Sequence, residues 1–210
     1  MKAAIFDFDG TLFESASYWE TVIDQYLTER NIVPPDNILS IAKPLGIKGT
    51  AAMFKEKFSL EENQEDIAAD WRTQMGKNYH DIIPVKENAC EYINQLRSDA
   101  VQICLATAME RDFVMPALER TDLIKMFDLI VTIADVNADK NSSRIFEYCA
   151  EQFQVPFSEC TVFEDSVQAA EICKKAGFKV IGVFDGVCIN DCELMKPVCD
   201  QFIFSFKELL

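Results

Sequence analysis

"KAAIFDFDGTLFES", residues 2–15, runs mostly apolar residues directly into two acids, Asp7 and Asp9, and follows them at once with Gly10 and Thr11. The apolar run reads as a short buried strand. Two carboxylates at its end repel each other and are costly to bury, so the fold has to bring something there that neutralises them.

Outward from this stretch, short apolar runs recur: "VQICLAT" (101–107), "DLIVTIAD" (128–135), "CTVFED" (160–165), "KVIGVFD" (179–185) and "QFIFS" (201–205). Helical patterns fill the intervals near 86–98, 110–120, 142–153 and 166–176, and Gly177 supplies the stop where the last of these turns back into a strand. Strands alternating with helices predict an α/β, Rossmann-like core, with right-handed crossovers and a mainly parallel sheet covered on both faces. The first interval departs from this rhythm. From Ser15 to Asp81 there is no strand pattern, only amphipathic stretches at 17–30, 36–43, 49–58 and 61–80, punctuated by Pro34, Pro35, Pro44 and Gly46. That is too much helix for one crossover. The expected organisation is a core of residues 1–14 and 82–210 with an inserted helical cap subdomain, residues 15–81, over the C-terminal end of the first strand.

The formal charge of −15, from 35 acids against 20 bases, repels phosphate backbones and anionic membrane surfaces. Neither nucleic acid nor membrane is therefore an expected partner. No apolar run is long enough to span a bilayer, and the N-terminal one is too short for a signal peptide, so the cytoplasm is the expected compartment. There the eight cysteines read as reduced, buried small hydrophobes rather than a disulfide framework. Zinc is not expected, because no C-x-x-C spacing occurs and the one histidine, His80, is far from Cys188, Cys192 and Cys199 in sequence.

In open α/β sheets ligands bind beyond the carboxyl ends of the strands. The first strand ends at Asp7 and Asp9, the second at Thr107, the third is followed by Lys140, and the fourth ends at Glu164 and Asp165. Carboxylates converging on one point stay ionised together only around a cation, and an oxygen-only donor set selects Mg²⁺. Beside such an ion Asp7 is a competent nucleophile toward phosphorus, giving an aspartyl-phosphate. Asp9, two residues on, is placed to protonate the leaving group and then to take a proton from the attacking water. Thr107 offers a hydroxyl and the N–H groups of a helix start to phosphoryl oxygens, and Lys140 offers a positive charge.

These motifs resemble the haloacid dehalogenase superfamily, in the branch with a small helical cap that holds phosphatases and β-phosphoglucomutase-like proteins. "DFDGTLFES" resembles the first motif, which implies Asp7 as nucleophile and Mg²⁺ ligand and Asp9 as acid/base that also offers its backbone carbonyl to the metal. "LATA" (105–108) is similar to the strand ending in a phosphate-binding Ser or Thr, here Thr107. "VFEDSVQAAEICKKAGFKVIGV" (162–183) resembles the fourth motif, with Glu164 and Asp165 as acidic metal-site residues and Ala169 where a glycine is usual. The third motif departs: "DKNSSRIF" (139–146) keeps the lysine, Lys140, and the Ile-Phe after it, but neither proline of the usual G-K-P-x-P.

The resemblance implies a Mg²⁺-dependent phosphatase of a small phosphorylated metabolite such as a sugar phosphate, working as a monomer or weak homo-oligomer, with the cap selecting substrate. Lys48, between Gly46 and Gly49 in a loop-like stretch, is the specificity candidate. A phosphomutase of the β-phosphoglucomutase type is the nearest alternative, but in that subgroup the segment after the first motif carries a histidine where "ESASYW" (14–19) has Trp19. A 2-haloacid dehalogenase has no use for Asp9. A receiver-like phosphoacceptor module has no reason for the helical insertion.

Overall fold

The computed structural model describes residues 1–35, 38–136, 142–186 and 189–210. Lys140 lies outside the described residues. The chain divides into two compact units, Met1–Glu14 with Pro84–Leu210, and Ser15–Ile83. Strand β1 (Ala3–Phe6) belongs to the first. The second is helical, with α1 (Ala16–Thr28), α2 (Ile38–Ala42), α3 (Gly46–Lys57) and α4 (Gln64–Asp81).

The helical unit has its own core. Trp71 of α4 is buried edge-on against Tyr26 of α1 and Phe54 of α3, with ring centroids 5.4 and 5.1 Å apart; each such pair adds about 0.5–1.5 kcal/mol beyond area burial. Asn63 caps α4, its side chain accepting from the Asp66 N–H at 2.8 Å. Lys48 is not in a loop. It is exposed in the first turn of α3, because Gly49 continues the helix where a Cβ would lie 3.0 Å from the Leu45 Cβ. The glycine therefore serves close packing rather than a turn.

The first unit continues from Pro84 with α5 (Ala89–Ser98), β2 (Gln102–Thr107), α6 (Arg111–Arg120), β3 (Leu129–Thr132) and α7 (Ile133–Val136). It ends with α8 (Arg144–Phe153), β4 (Cys160–Glu164), α9 (Val167–Ala176), β5 (Lys179–Val183), α10 (Ile189–Met195) and β6 (Gln201–Ile203). Among the described residues the strands form one parallel six-stranded sheet in the order β3-β2-β1-β4-β5-β6. β1 lies inside the sheet and is buried along its whole length, since both faces are covered. Ala3 and Ile5 pack with Phe146 and Cys149 of α8 and Cys173 of α9. Phe6 stacks on Phe163 of β4 at 4.3 Å, and Tyr92 of α5 meets the Phe163 ring at 5.7 Å.

Two elements differ from the sequence reading. The run 128–135 does not stay extended: β3 stops at Thr132, because the Asp135 carboxylate accepts from both the Thr132 N–H (2.7 Å) and its hydroxyl (2.8 Å) and starts α7 there. Helix α10 was not foreseen. Gly177 does close α9 in the left-handed region, at φ +96.

Candidate active site

The parallel register positions the acids. Phe6 pairs with Phe163, and the Asp7 N–H continues the ladder to the Phe163 carbonyl at 3.0 Å. Asp7 and Glu164 are thus the next residues on neighbouring strands, and in-register residues of parallel strands point to the same face. Asp165 follows at the β4 end. Ligand atoms of Asp7, Glu164 and Asp165 all lie within 4.8 Å of one another.

This acidic group is largely shielded from water: Glu164 and Asp165 are 5% and 7% exposed, and Asp7 is half-buried. Local hydrogen bonds hold it, since the Asp165 N–H donates to Glu164 Oε2 at 3.2 Å and the Thr11 hydroxyl reaches Asp165 Oδ1 at 3.5 Å. The negative field reaches Cys173 of α9. Burial first, and then the charges of Glu164 and Asp7, push the Cys173 thiol far above its usual range. Three carboxylates gathered with oxygen donors alone fit a hard divalent cation of the Mg²⁺ type and not zinc, for which nitrogen or sulfur donors are the rule.

The Asp9 carboxylate is not one of these three. Asp9 is half-buried in a tight loop closed by the Gly10 N–H on the Phe13 carbonyl (2.9 Å) and by the Leu12 and Phe13 N–H groups on the Phe8 carbonyl. Gly10 makes the loop possible twice over: its φ is +77, and a Cβ there would fall 2.1 Å from Asp165 Oδ2. Thr107, at the end of β2, is 3% exposed, and its Oγ1 accepts from the Met109 N–H at 3.0 Å. That bond uses a lone pair and leaves the hydroxyl proton to donate. Arg111, at the start of α6, binds Asp135 at 2.9 Å.

Sequence reasoning missed two residues at this site. Thr11 had the signal, a hydroxyl directly after D-x-D-G. Asp185, two residues beyond β5 and 8% exposed, brings its Oδ2 to within 2.9 Å of the same Gly10 Cβ position that Asp165 crowds. Its signal was equally plain, an acid at the carboxyl end of a neighbouring strand.

A family model described as haloacid dehalogenase-like hydrolase matches residues 4–183. The chain belongs to this family. This haloacid dehalogenase-like hydrolase is 27% identical over 187 residues to a putative phosphatase of Bacillus subtilis, with 86% of this chain and 82% of the relative covered. It is 24% identical over 222 residues to a phosphorylated carbohydrates phosphatase of Thermotoga maritima, with 100% of both chains covered. Among solved structures, a conserved haloacid dehalogenase-like protein of unknown function from Agrobacterium tumefaciens superposes with a TM-score of 0.84 at 19% identity, over 100% of this chain and 96% of the other. That likeness carries the fold.

Proposed function

We propose that this hydrolase is a Mg²⁺-dependent phosphatase of small phosphorylated metabolites, of the sugar phosphate class, working through an aspartyl-phosphate on Asp7. The observation that carries this reading is the group of Asp7, Glu164 and Asp165 at adjoining strand ends, with all three carboxylates within 4.8 Å of one another. The named activities of the curated relatives, phosphate release among them, support the same class.

In this reading Asp7, Glu164 and Asp165 would hold the ion, and the Asp9 backbone carbonyl would be a further ligand. When bound, Mg²⁺ supplies positive charge that lets these carboxylates and a phosphoryl group share one space. Asp7 attacks phosphorus and takes the phosphoryl group, and the bond to the substrate oxygen breaks. Asp9 gives that oxygen its proton, and then, as a carboxylate, takes one from the water that hydrolyses the aspartyl-phosphate. The Thr107 hydroxyl donates to a phosphoryl oxygen, and Lys140 adds a cation there. Residues 15–81 act as the cap that selects the leaving group, with Lys48 as a specificity residue.

A phosphomutase would return the phosphoryl group to a second hydroxyl. Trp19 favours hydrolysis instead: in the position where the mutase-like subgroup has a histidine, its indole N–H donates to the Tyr79 hydroxyl at 3.0 Å and has no basic nitrogen to offer. The test is a panel of phosphorylated metabolites assayed for free phosphate with and without Mg²⁺. Release that needs Mg²⁺ is expected. Isomerised sugar phosphate without free phosphate would assign a mutase, and no reaction with any phosphate ester would reject the reading.

A further inference from the structure

Lys86 joins segments that lie far apart in the chain. Its N–H donates to the Leu12 carbonyl at 2.8 Å. The Glu14 N–H on the Pro84 carbonyl (3.0 Å) and the antiparallel Phe13–Val85 bridge complete the pairing of residues 84–86 with the end of the loop after β1. The Lys86 ammonium donates to the carbonyl of Phe184, 98 residues away in sequence and directly after β5.

The loop held in this way is the one that carries Asp9. Phe13, opposite Val85, also bridges to Asp9, and its carbonyl accepts from the Gly10 N–H at 2.9 Å. The turn after β5 packs directly on the same loop: a Cβ at Gly10 would lie 2.9 Å from Asp185 Oδ2, which leaves no room for a methyl group between them. Phe184 stands one residue past the last β5–β6 pair, Val183 with Ile203, and its N–H still reaches the Ile203 carbonyl at 2.9 Å. Its own carbonyl, past that ladder, accepts from Lys86. A hydrogen bond from an ammonium is about twice as strong as a neutral one, and it holds the half-buried Lys86 side chain to a fixed point of the backbone.

We infer that Lys86 is a positioning residue for Asp9, tying the Asp9 loop to the turn after β5. This rests on the phosphatase reading above and on the acid/base role of Asp9 in it. Asp7 is held independently, because its N–H lies on the β4 ladder at the Phe163 carbonyl. Loss of the tie therefore costs the proton transfer by Asp9 more than the attack by Asp7. The cost grows with the basicity of the leaving oxygen, since a more basic oxygen depends more on being protonated as it departs.

The test is kcat/KM of the wild-type chain, Lys86→Met, Lys86→Arg and Asp9→Asn on two esters with Mg²⁺ present. One is p-nitrophenyl phosphate, whose leaving group needs little protonation, and the other is the best sugar phosphate of the panel, whose alkoxide needs it fully. This constant covers the steps up to departure of the leaving group, so hydrolysis of the aspartyl-phosphate does not enter it. Lys86→Met is expected to lose about tenfold more on the sugar phosphate than on the aryl ester. Asp9→Asn should show the same pattern more strongly, and Lys86→Arg, which keeps a charged donor, should recover most of the difference. Lys86→Gln, with a neutral donor, takes the place of Lys86→Met if the apolar end prevents folding. Equal losses on both esters, as a merely structural role would give, or no loss on either, would overturn the inference. Asp9→Asn without dependence on the leaving group, or a wild-type chain that hydrolyses no phosphate ester, would instead overturn the reading on which it rests.

Discussion

Replacing Gly10 with alanine probes the point where the loop after β1 meets the acids. An L-residue at φ +77 costs about 1–2 kcal/mol. The new Cβ would stand 2.1 Å from Asp165 Oδ2, 2.7 Å from its Cγ and 2.9 Å from Asp185 Oδ2, so the Asp165 carboxylate must retreat by about 1 Å. It has nowhere easy to go, since it is 7% exposed and tied to Thr11 and Glu164. Overpacking of this kind costs about 1–3 kcal/mol, which makes the total about 2–5 kcal/mol. In a chain of this size that lowers the melting temperature by about 5–15 °C. Circular dichroism melts in EDTA give the stability, and Mg²⁺ titration of the folded variant gives the effect on the acidic group, which should bind more weakly. Gly186→Ala is the control, because a Cβ there meets nothing nearer than the Phe184 ring at 3.8 Å, and it should stay within about 0.5 kcal/mol of wild type. A Gly10→Ala variant that melts within about 2 °C of wild type would refute the crowding argument.

Thr107→Val should cost about 1–2 kcal/mol in denaturant unfolding, because the Met109 N–H loses its acceptor, and about 10–100-fold in kcat/KM for phosphate release, with Thr107→Ser recovering most of both. Asp200 ties the end of the chain to β5, its carboxylate accepting from Lys174 at 2.6 Å and from the Val180 N–H at 2.7 Å. Burial raises its pKa, but the Lys174 ammonium and the Val180 N–H outweigh that and hold it below the usual carboxylate value. The stability it contributes is thus present above the ordinary carboxylate range and lost as the pH falls through the depressed value. Asp200→Ala should accordingly be less stable than wild type by about 1 kcal/mol at pH 7, with the gap closing below about pH 4 in urea melts; a gap that persists at low pH would contradict it.

The alternation of apolar runs and helical patterns was enough to read the sheet, because β1 is buried on both faces and therefore apolar throughout. Strand-end acids were legible for the same reason: a parallel sheet puts its carboxyl ends together, so Asp7, Glu164 and Asp165 could be expected at one edge. What failed was local. The run 128–135 is apolar enough for a strand, yet a T-x-x-D pattern at Thr132 and Asp135 already held the capping signal that ends it. Gly49 opens the helical stretch 49–58 in the sequence, but the helix begins three residues earlier, at Gly46, and takes in Lys48, with the small size of Gly49 serving packing on Leu45. Asp185 comes to the site beside the Gly10 loop, a meeting of segments far apart in the chain.

In the proposed mechanism Asp7 takes the phosphoryl group. Wild-type chain mixed with a substrate from the metabolite panel and Mg²⁺, quenched in acid within one turnover and mapped by mass spectrometry, should carry a single phosphoryl group on Asp7, and Asp7→Asn should carry none and release no phosphate. A phosphoryl group on another residue, or Mg²⁺-dependent turnover retained in Asp7→Asn, would contradict the account.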